Sequence, residues 1–592
     1  MIGPPPSHPA GRLEAYGVLL LVVAAVFLAA SFVPYRVDTD TGFQLRAVQQ
    51  WTRGETPSPG TLRLPDADDL SRDALVWSSW WPPGFPFLYA PLAAAGLSLA
   101  SALRLTSLLL FLAGAAGWMR IADGMPLTRP VRILYALSLA AYAMTFGGAA
   151  SLRSADNLSF AAAPWLVLLV LRLAPRPSSW KLLLCGMALG ASYWLKYTLF
   201  LVALPLAAWL TGRILQSWWR GDRRAGLRIA ALGIGLALPI AGLVALNAWQ
   251  SRSLAEGATG ARSLWKAEDL RSAKPLPVIL GVAGAPGLAL FQSHLWIRHL
   301  FYFSDRRLRF LGSLDGFERL LLVSLAGLPG TAALLWALAI CWRNRFETLS
   351  LSLAVTAACG FYAALGAVSL AVLYNYPANE PRYAIGLMPL LHPFALTAWL
   401  TKARSSPRTA RVLAVAALAL FFLAPIAFAT ANFARNELGA SLAQPYRPSA
   451  TGLYVPEISS RDVPAVQARI ASFLRSPRDV VVLAGPAGWG SSLMMWLETP
   501  WRTLPVSTFC LPLGGRYVEA ADLRASRPLT SARPLRIVLV AALSLEPQGW
   551  LPRLQSRFPQ AGTWTAAPRI PGSNVGIWFS DLEAPGTAGP LP

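Results

Sequence analysis

Long apolar runs recur between Tyr16 and Thr430, separated by short polar loops. The runs Tyr16–Phe32, Ile229–Ala248, Leu320–Cys341, Leu349–Tyr374 and Val412–Ala429 are long enough as helices to cross a hydrocarbon core about 30 Å thick. A soluble core does not need so many separate runs of that length. Residues 1–14 form a short Pro-rich leader, and a first span covers about 15–34. No small-residue cleavage site followed by a hydrophilic mature start succeeds it, so this run reads as a retained span rather than a signal peptide. A polar loop, 35–83, comes next, and spans alternate with short loops from 84 to 430. The tail changes character: polar spacing, Pro and Gly punctuation, a helix-like segment Val463–Leu474, and strand-like runs Val480–Ala484 and Leu535–Val540. The pattern predicts a polytopic α-helical membrane protein with about 11–13 transmembrane helices. Its transmembrane module is 1–430, including the external loop 35–83. A small α/β domain, 431–592, lies outside the membrane.

Composition agrees. Hydrophobic residues make up 55% and charged residues 14%, against about 25% charged in ordinary soluble domains. The net charge of +23 would suit nucleic acid if it were gathered on one soluble module, and no such module is present. The positive charge instead sits in short loops, Arg172–Lys181, Arg213–Arg228, Arg343–Arg345 and Lys402–Arg411, the pattern of cytoplasmic loops. Counting back from 402–411 places the loop Tyr376–Arg382 and the tail on the opposite face, and the loop 35–83 shares the tail's side. Two stretches leave the parity open. Residues 84–119 read as two apolar pieces interrupted at Arg104; two crossings there put the basic loop 120–132 outside, one puts it inside. The Gly- and Pro-rich stretch 275–291 poses the same alternative, and broken or re-entrant segments suit both. Cys185, Cys341 and Cys359 lie in or at the ends of apolar runs. Cys510 is alone in the tail, and no set has metal-ligand spacing.

Four polar constellations interrupt this plan. Asp38-Thr39-Asp40-Thr41 follows the first span. In an extended chain the two carboxylates face the same way and suit a divalent cation or a general base; they equally suit the cap of an interfacial helix starting at Thr41. Arg46 follows as an anion ligand or a partner for these acids. Trp77, Trp80 and Trp81 precede Pro82-Pro83-Gly84 and suit an interfacial belt, a sugar platform or a lipid-chain contact. Arg153-Ser154-Ala155-Asp156-Asn157 lies against a span end, either as a polar-substrate site or as a hydrophilic turn. In Tyr376-Pro377-Ala378-Asn379-Glu380-Pro381-Arg382-Tyr383, an Arg opening a span on the external side wants an anion: Glu380 or a phosphate. Lys196, inside an apolar region, either snorkels or meets a phosphate at an external turn between two short spans. His294 and His299, beside Arg298 and before Arg306, Arg307 and Arg309, suit either ordinary interfacial residues or a phosphate-facing surface. Gly485–Gly490 lacks the Lys-Ser/Thr ending of a P-loop.

Together these regions resemble the GT-C superfamily of membrane glycosyltransferases. The nearest branch is that of the protein O-mannosyltransferases and the bacterial aminoarabinose transferase of lipid A (family 39-like), and the resemblance covers about 1–430. Asp40, with Asp38 as rival, stands where that family has an acidic residue just after its first span. Trp81-Pro82-Pro83-Gly84 matches its Lys- or His-Pro-Pro segment, with Trp81 replacing the basic residue. Asp156 matches its second acidic residue, and Pro381-Arg382-Tyr383 its late external motif. The resemblance implies a sugar donor on polyprenyl phosphate or pyrophosphate and an acceptor hydroxyl on a lipid, glycan or protein. It also implies a bacterial inner-membrane location, with the active site and tail extracytoplasmic. Asp40 would act as base or metal ligand, and Asp156 would hold acceptor, sugar or metal. Arg382 and Lys196 would steady the leaving phosphate; Arg46, Trp81, Tyr376, Glu380 and Tyr383 would line the substrate site. A divalent metal (Mg or Mn) is optional in such enzymes.

Three other classes fit parts of the pattern. A secondary transporter would show internal repeats and mid-membrane charge pairs, whereas the candidate groups here sit in external loops. A glycan polymerase or ligase of the membrane would use Arg/His-rich chemistry. A non-catalytic assembly subunit would not need Asp40.

Overall fold

A computed structural model of the chain describes residues 9–33, 35–36, 39–77, 82–147, 155–174, 177–251, 275–290, 316–368, 381–439, 453–454, 463–485, 500–507, 520–523, 525–546, 549–571, 573 and 575–584. The chain divides into two compact units. One comprises 1–33, 107–242 and 265–442; the other comprises 34–106, 243–264 and 443–592. Asp38, Trp81, His294, His299, Tyr376, Glu380, Cys510 and 486–490 lie outside the described residues.

The first unit is helical. In chain order its helices are α1 (Pro9–Ala30), α4 (Leu99–Asp123), α5 (Arg129–Gly147), α6 (Ala155–Leu173), α7 (Ser179–Leu195), α8 (Tyr197–Trp219), α9 (Ala225–Ser251), α10 (Pro275–Ala289), α11 (Gly316–Arg343), α12 (Thr348–Val368) and α13 (Met388–Ser405). The ends of α4 and α9 run into the second unit, which also holds α2 (Thr39–Thr52) and α3 (Gly84–Ala94). A last helix, α14 (Arg408–Leu418), passes through a π turn at Ala419–Leu423 into Ala424–Asn432. Among the described residues seven helices are long and apolar enough to cross a membrane; α5, α6, α7, α10 and α13 add apolar helices of 19, 19, 17, 15 and 18 residues. The chain is a multi-pass helical membrane protein.

Helix packing here relies on small residues, as expected where lipid supplies no hydrophobic drive between helices. A Cβ on Gly287 of α10 would overlap the carbonyl of Gly327 on α11, so the two backbones nearly touch. Thr331 stitches them: its hydroxyl donates to Ala283 O (2.8 Å) and accepts from Gly287 N (2.9 Å). Trp118, Phe111, Phe160, Tyr135 and Trp399 are fully buried at the centre.

A polar lock joins the start of α1 to the basic loop after α4. Arg132, nearly fully buried, donates to Asp123 (2.6 Å) and to the carbonyls of Met125 and Leu127. Tyr16 donates to the same Asp123 (3.1 Å), and Arg129 pairs with Glu14 (2.6 Å). The start of α1 and the basic loop 123–132 therefore share one face. Arg104 does not interrupt a helix; it lies within the 25-residue α4. The break falls earlier, at Gly96 with φ +89°, after the 11-residue helix α3 (Gly84–Ala94). At about 1.5 Å per residue α3 is too short to span. Of the two apolar pieces in 84–119, α4 is long and apolar enough to cross a membrane and α3 is not.

In the second unit a five-stranded sheet has the order β6-β5-β7-β9-β8. Its strands are β5 (Val480–Gly485), β6 (Arg502–Ser507), β7 (Leu535–Ala542), β8 (Thr565–Ala566) and β9 (Val575–Leu582). Strands β6, β5 and β7 are parallel and β9 is antiparallel to β7. Both β5 and β7 are buried throughout, which is why they are continuous apolar runs and legible in the sequence. The Pro-containing β6 and the mixed β9 carry no such signal. The N-terminal part of this unit holds β1 (Tyr35–Arg36), parallel to β4 (Leu453–Tyr454), then helix α2 (Thr39–Thr52) and the hairpin β2–β3 (Thr61–Pro65, Asp73–Trp77).

The acids of loop 35–83 hold this hairpin to the sheet domain. Asp73 accepts from Arg502 (2.7 Å) and Arg63 (2.8 Å). Asp68 pairs with Arg527. Leu70 N donates to Thr530 O (2.9 Å), and Ala532 N to Asp69 (2.9 Å). Burial of Asp69 favours its neutral form, yet the Ala532 amide, the hydroxyl and amide of Ser71, and the Arg72 charge together hold its pKa below the usual value.

Candidate functional site

Asp40 is the second residue of α2, and Asp156 the second residue of α6. Each carboxylate-bearing residue thus lies in the first turn of a helix, where the unpaired amides of the helix end favour negative charge. Asp40 is helical from Thr39 onward rather than extended, so the alternation expected of Asp38 and Asp40 does not apply; the helix begins two residues before Thr41. On the same helix Gln44, Arg46, Gln49 and Gln50 are buried. Arg46 donates to Gln49 Oε1 (2.9 Å), while Gln50 exchanges hydrogen bonds with the backbone of Arg63 on β2 (both 2.9 Å). The fully buried pair Phe85 and Tyr89 (ring centroids 4.8 Å apart) lies on α3, which packs against α2.

Of the three tryptophans before Pro82, Trp77 lies among the described residues. It is a β3 residue whose indole covers Gly60 and donates to Asn247 Oδ1 (2.9 Å).

Within the helical unit three predicted site elements come together. The first is the start of α6, with Asp156 and the buried Asn157, whose amide reaches Ser107 Oγ (3.4 Å). The second is the α7–α8 junction. Lys196 is its single linking residue, extended (φ −161°, ψ 131°) and half-buried. Its carbonyl accepts the amides of Leu199 and Phe200, and Thr198 hydrogen-bonds Ser159 of α6 (3.5 Å). The third is the 3₁₀ turn Pro381–Gly386, which carries Arg382 and the half-buried Tyr383. This turn lies on α6 and α8; a Cβ on Gly386 would be 3.0 Å from Ser159 O. A carboxylate, an ammonium and a guanidinium thus reside on elements packed at one end of the bundle.

A polar aromatic group that no sequence motif marks lies just inside that end. Tyr135, Ser138 and Tyr142 of α5, Tyr362 of α12 and His392 of α13 are buried. His392 Nδ1 lies 3.2 Å from Ser138 Oγ, its ring stacks on Tyr142 (centroids 6.2 Å apart), and Tyr135 donates to Pro389 O (3.0 Å). The available signal was a His and hydroxyl-tipped aromatics within apolar runs, where polar groups are costly unless used. In the sheet domain, by contrast, the charges of the cleft at Arg475, Arg536 and Asp581 are internally paired: Asp581 takes both guanidinium groups (2.7–3.1 Å).

The fold and these groups define a multi-pass helical membrane protein whose carboxylates open helices and whose Arg382 opens a re-entry into the bundle. No family model matches the chain, and no curated protein matches it. Among solved structures, ArnT from Cupriavidus metallidurans bound to undecaprenyl phosphate is similar over 99% of this chain and 100% of its own, at 14% identity and a TM-score of 0.45. The arabinofuranosyltransferase AftD from Mycobacteria is similar over 96% of this chain, at 17% identity and a TM-score of 0.41; the match covers 40% of AftD. A mutant form of AftD, R1389S class 1, matches at 18% identity and 0.40. At these values the likeness carries no residue-by-residue correspondence.

Proposed function

We propose that the chain is a membrane glycosyltransferase. It moves a sugar from polyprenyl phosphate or pyrophosphate to an acceptor hydroxyl at the extracytoplasmic face of a bacterial inner membrane. The observation that supports this most is the meeting of the Asp156 helix start, Lys196 and the Arg382 turn at one end of a lipid-embedded bundle. A lipid-borne donor can reach such a place without leaving the membrane, and cations there suit a departing phosphate.

In the proposed step the acceptor oxygen attacks the anomeric carbon and the bond from that carbon to the phosphate oxygen breaks. The electron pair leaves with the phosphate, whose added charge Arg382 and Lys196 offset. The acceptor's proton passes to a carboxylate; Asp40 is the assigned base, with Asp38 as its rival, and Asp156 holds the acceptor or the sugar. One displacement inverts the anomeric configuration. Arg46, Tyr376, Glu380, Tyr383 and Trp81 belong to the substrate-binding set. A divalent cation, Mg or Mn, would be held by Asp40 or Asp156; among the described residues no three His, Cys, Asp or Glu gather to hold one independently.

The test is transfer from defined polyprenyl-phosphate sugars in membranes, comparing wild type with Asp40→Asn and Asp156→Asn, each with and without EDTA. Loss in both variants is expected. Full transfer by both sinks the assigned mechanism.

A further inference from the structure

The hairpin β2–β3 carries none of the groups assigned to the reaction, yet it is tied on both sides. Toward the helix that bears Asp40, the Gln50 side chain lies along β2. Its Nε2 donates to Arg63 O and its Oε1 accepts from Arg63 N, both at 2.9 Å. A carboxamide offers a donor and an acceptor in the arrangement of a peptide group. The contact therefore adds one rung of strand pairing at an edge that would otherwise leave both groups open. Gln50 itself is buried, as is every residue of α2 from Gly42 onward to it. Toward the sheet domain, the guanidinium of the same Arg63 pairs with Asp73, and Asp73 pairs with Arg502 of β6. Arg63 is thus gripped through its backbone by α2 and through its side chain by the clamp.

A second tie holds the other end of α2. Tyr35 and Arg36 pair in parallel with Leu453 and Tyr454, and Arg36 stands four residues before Asp40. Both ends of the helix are therefore joined to chain that follows the last span. Asp40 and Gln50 are ten residues apart on one uninterrupted helix, a length of about 15 Å. Over that length a tilt of about 4° moves the far end by about 1 Å, and a misplacement of that size costs a reaction about 100-fold.

We propose that Gln50, Arg63, Asp73 and Arg502 are positioning residues. Through the hairpin, the sheet domain fixes the seat of α2 and with it the place of Asp40, the base in the glycosyltransferase reading on which this assignment rests. The four residues act through the helix rather than on the substrate. Loosening any of them leaves the reacting groups chemically intact and lets α2 tilt, so the loss falls on the chemical step and spares donor binding.

The test combines transfer from a polyprenyl-phosphate sugar with hydrogen exchange of the α2 segment 39–52, both on the full-length protein in lipid nanodiscs. Wild type is compared with Gln50→Ala, Arg502→Gln, Arg502→Lys and Leu539→Ala. The last removes packing from the sheet core on β7, where Leu539 is fully buried, and leaves the clamp intact. In Gln50→Ala and Arg502→Gln, exchange of 39–52 should rise about tenfold or more. Their kcat per folded molecule should fall about 10- to 100-fold, with the donor KM within about threefold of wild type. Arg502→Lys, which keeps the charge beside Asp73, should recover part of both. Leu539→Ala should lower the melting temperature and keep kcat. Unchanged exchange in the first two variants, or raised exchange with a wild-type kcat, overturns the proposal. So does an equal loss of kcat in Leu539→Ala, which would mark general destabilisation. A wild-type protein that transfers no sugar removes the glycosyltransferase reading instead, and the exchange arm by itself still decides whether the sheet domain seats α2.

Discussion

Replacing Asp73 should release the β2–β3 hairpin from the sheet domain. The carboxylate accepts Arg502 Nε at 2.7 Å and Arg63 Nε at 2.8 Å, and its side chain is only 18% exposed, that of Arg502 13%. Arg502 also donates to the carbonyls of Arg72 and Arg478, so its position is set by both partners of the interface. Hydrogen bonds to charged groups contribute about 1.5–3 kcal/mol each, and breaking a fully buried pair costs about 3–5 kcal/mol. Residual exposure screens the pair, which places Asp73→Asn at about 2–4 kcal/mol. At 1.4 kcal/mol per decade this is an increase of about 30- to 700-fold in the local opening equilibrium. Hydrogen exchange reads it directly at the amides of Leu70 and Ala532, which donate across the same interface. The cycle of Asp73→Asn, Arg502→Gln and the double variant should show coupling above about 1 kcal/mol. Exchange rates within about threefold of wild type, or purely additive effects, would refute the assignment of the loop's acids to this clamp.

Other outcomes follow from the same geometry. Because the folded pKa of Asp69 is depressed below 3.8, its stabilising contribution is complete above that value and is lost as pH falls through the folded pKa. Protection of the Ala532 amide should therefore hold from neutrality to about pH 4 and then decline, and Asp69→Asn should remove that dependence. Gly287→Ala would force apart α10 and α11 where their backbones nearly touch; a loss of about 1–3 kcal/mol, seen as a lower melting temperature, is expected, and an unchanged one contradicts the close contact. Arg132→Gln strips the buried partner from Asp123 and opens the lock at the start of α1. About 3 kcal/mol should be lost, with faster proteolysis at 123–132; a variant as resistant as wild type would dissolve the argument that this loop shares a face with Glu14.

The amino-acid sequence determined what depends on neighbours along the chain. Runs of apolar residues at crossing length define the helices of the bundle, because a backbone in lipid must satisfy its own hydrogen bonds locally. The fully buried β5 and β7 were visible because strands covered on both faces are continuous apolar runs, and polar breaks in the apolar pattern marked the segment starts at Asp156 and Arg382. Tertiary structure decided what those residues do to one another. Asp68, Asp69 and Asp73 look like any acidic loop until Arg527, Ala532 and Arg502, more than four hundred residues away, are brought against them. Ser138 and His392 meet across 254 residues, and the Arg382 turn reaches α6 only because the helices between them return the chain to the same end of the bundle. Periodicity is a property of short stretches, whereas ion pairing and buried polar contacts depend on which distant stretches share a face.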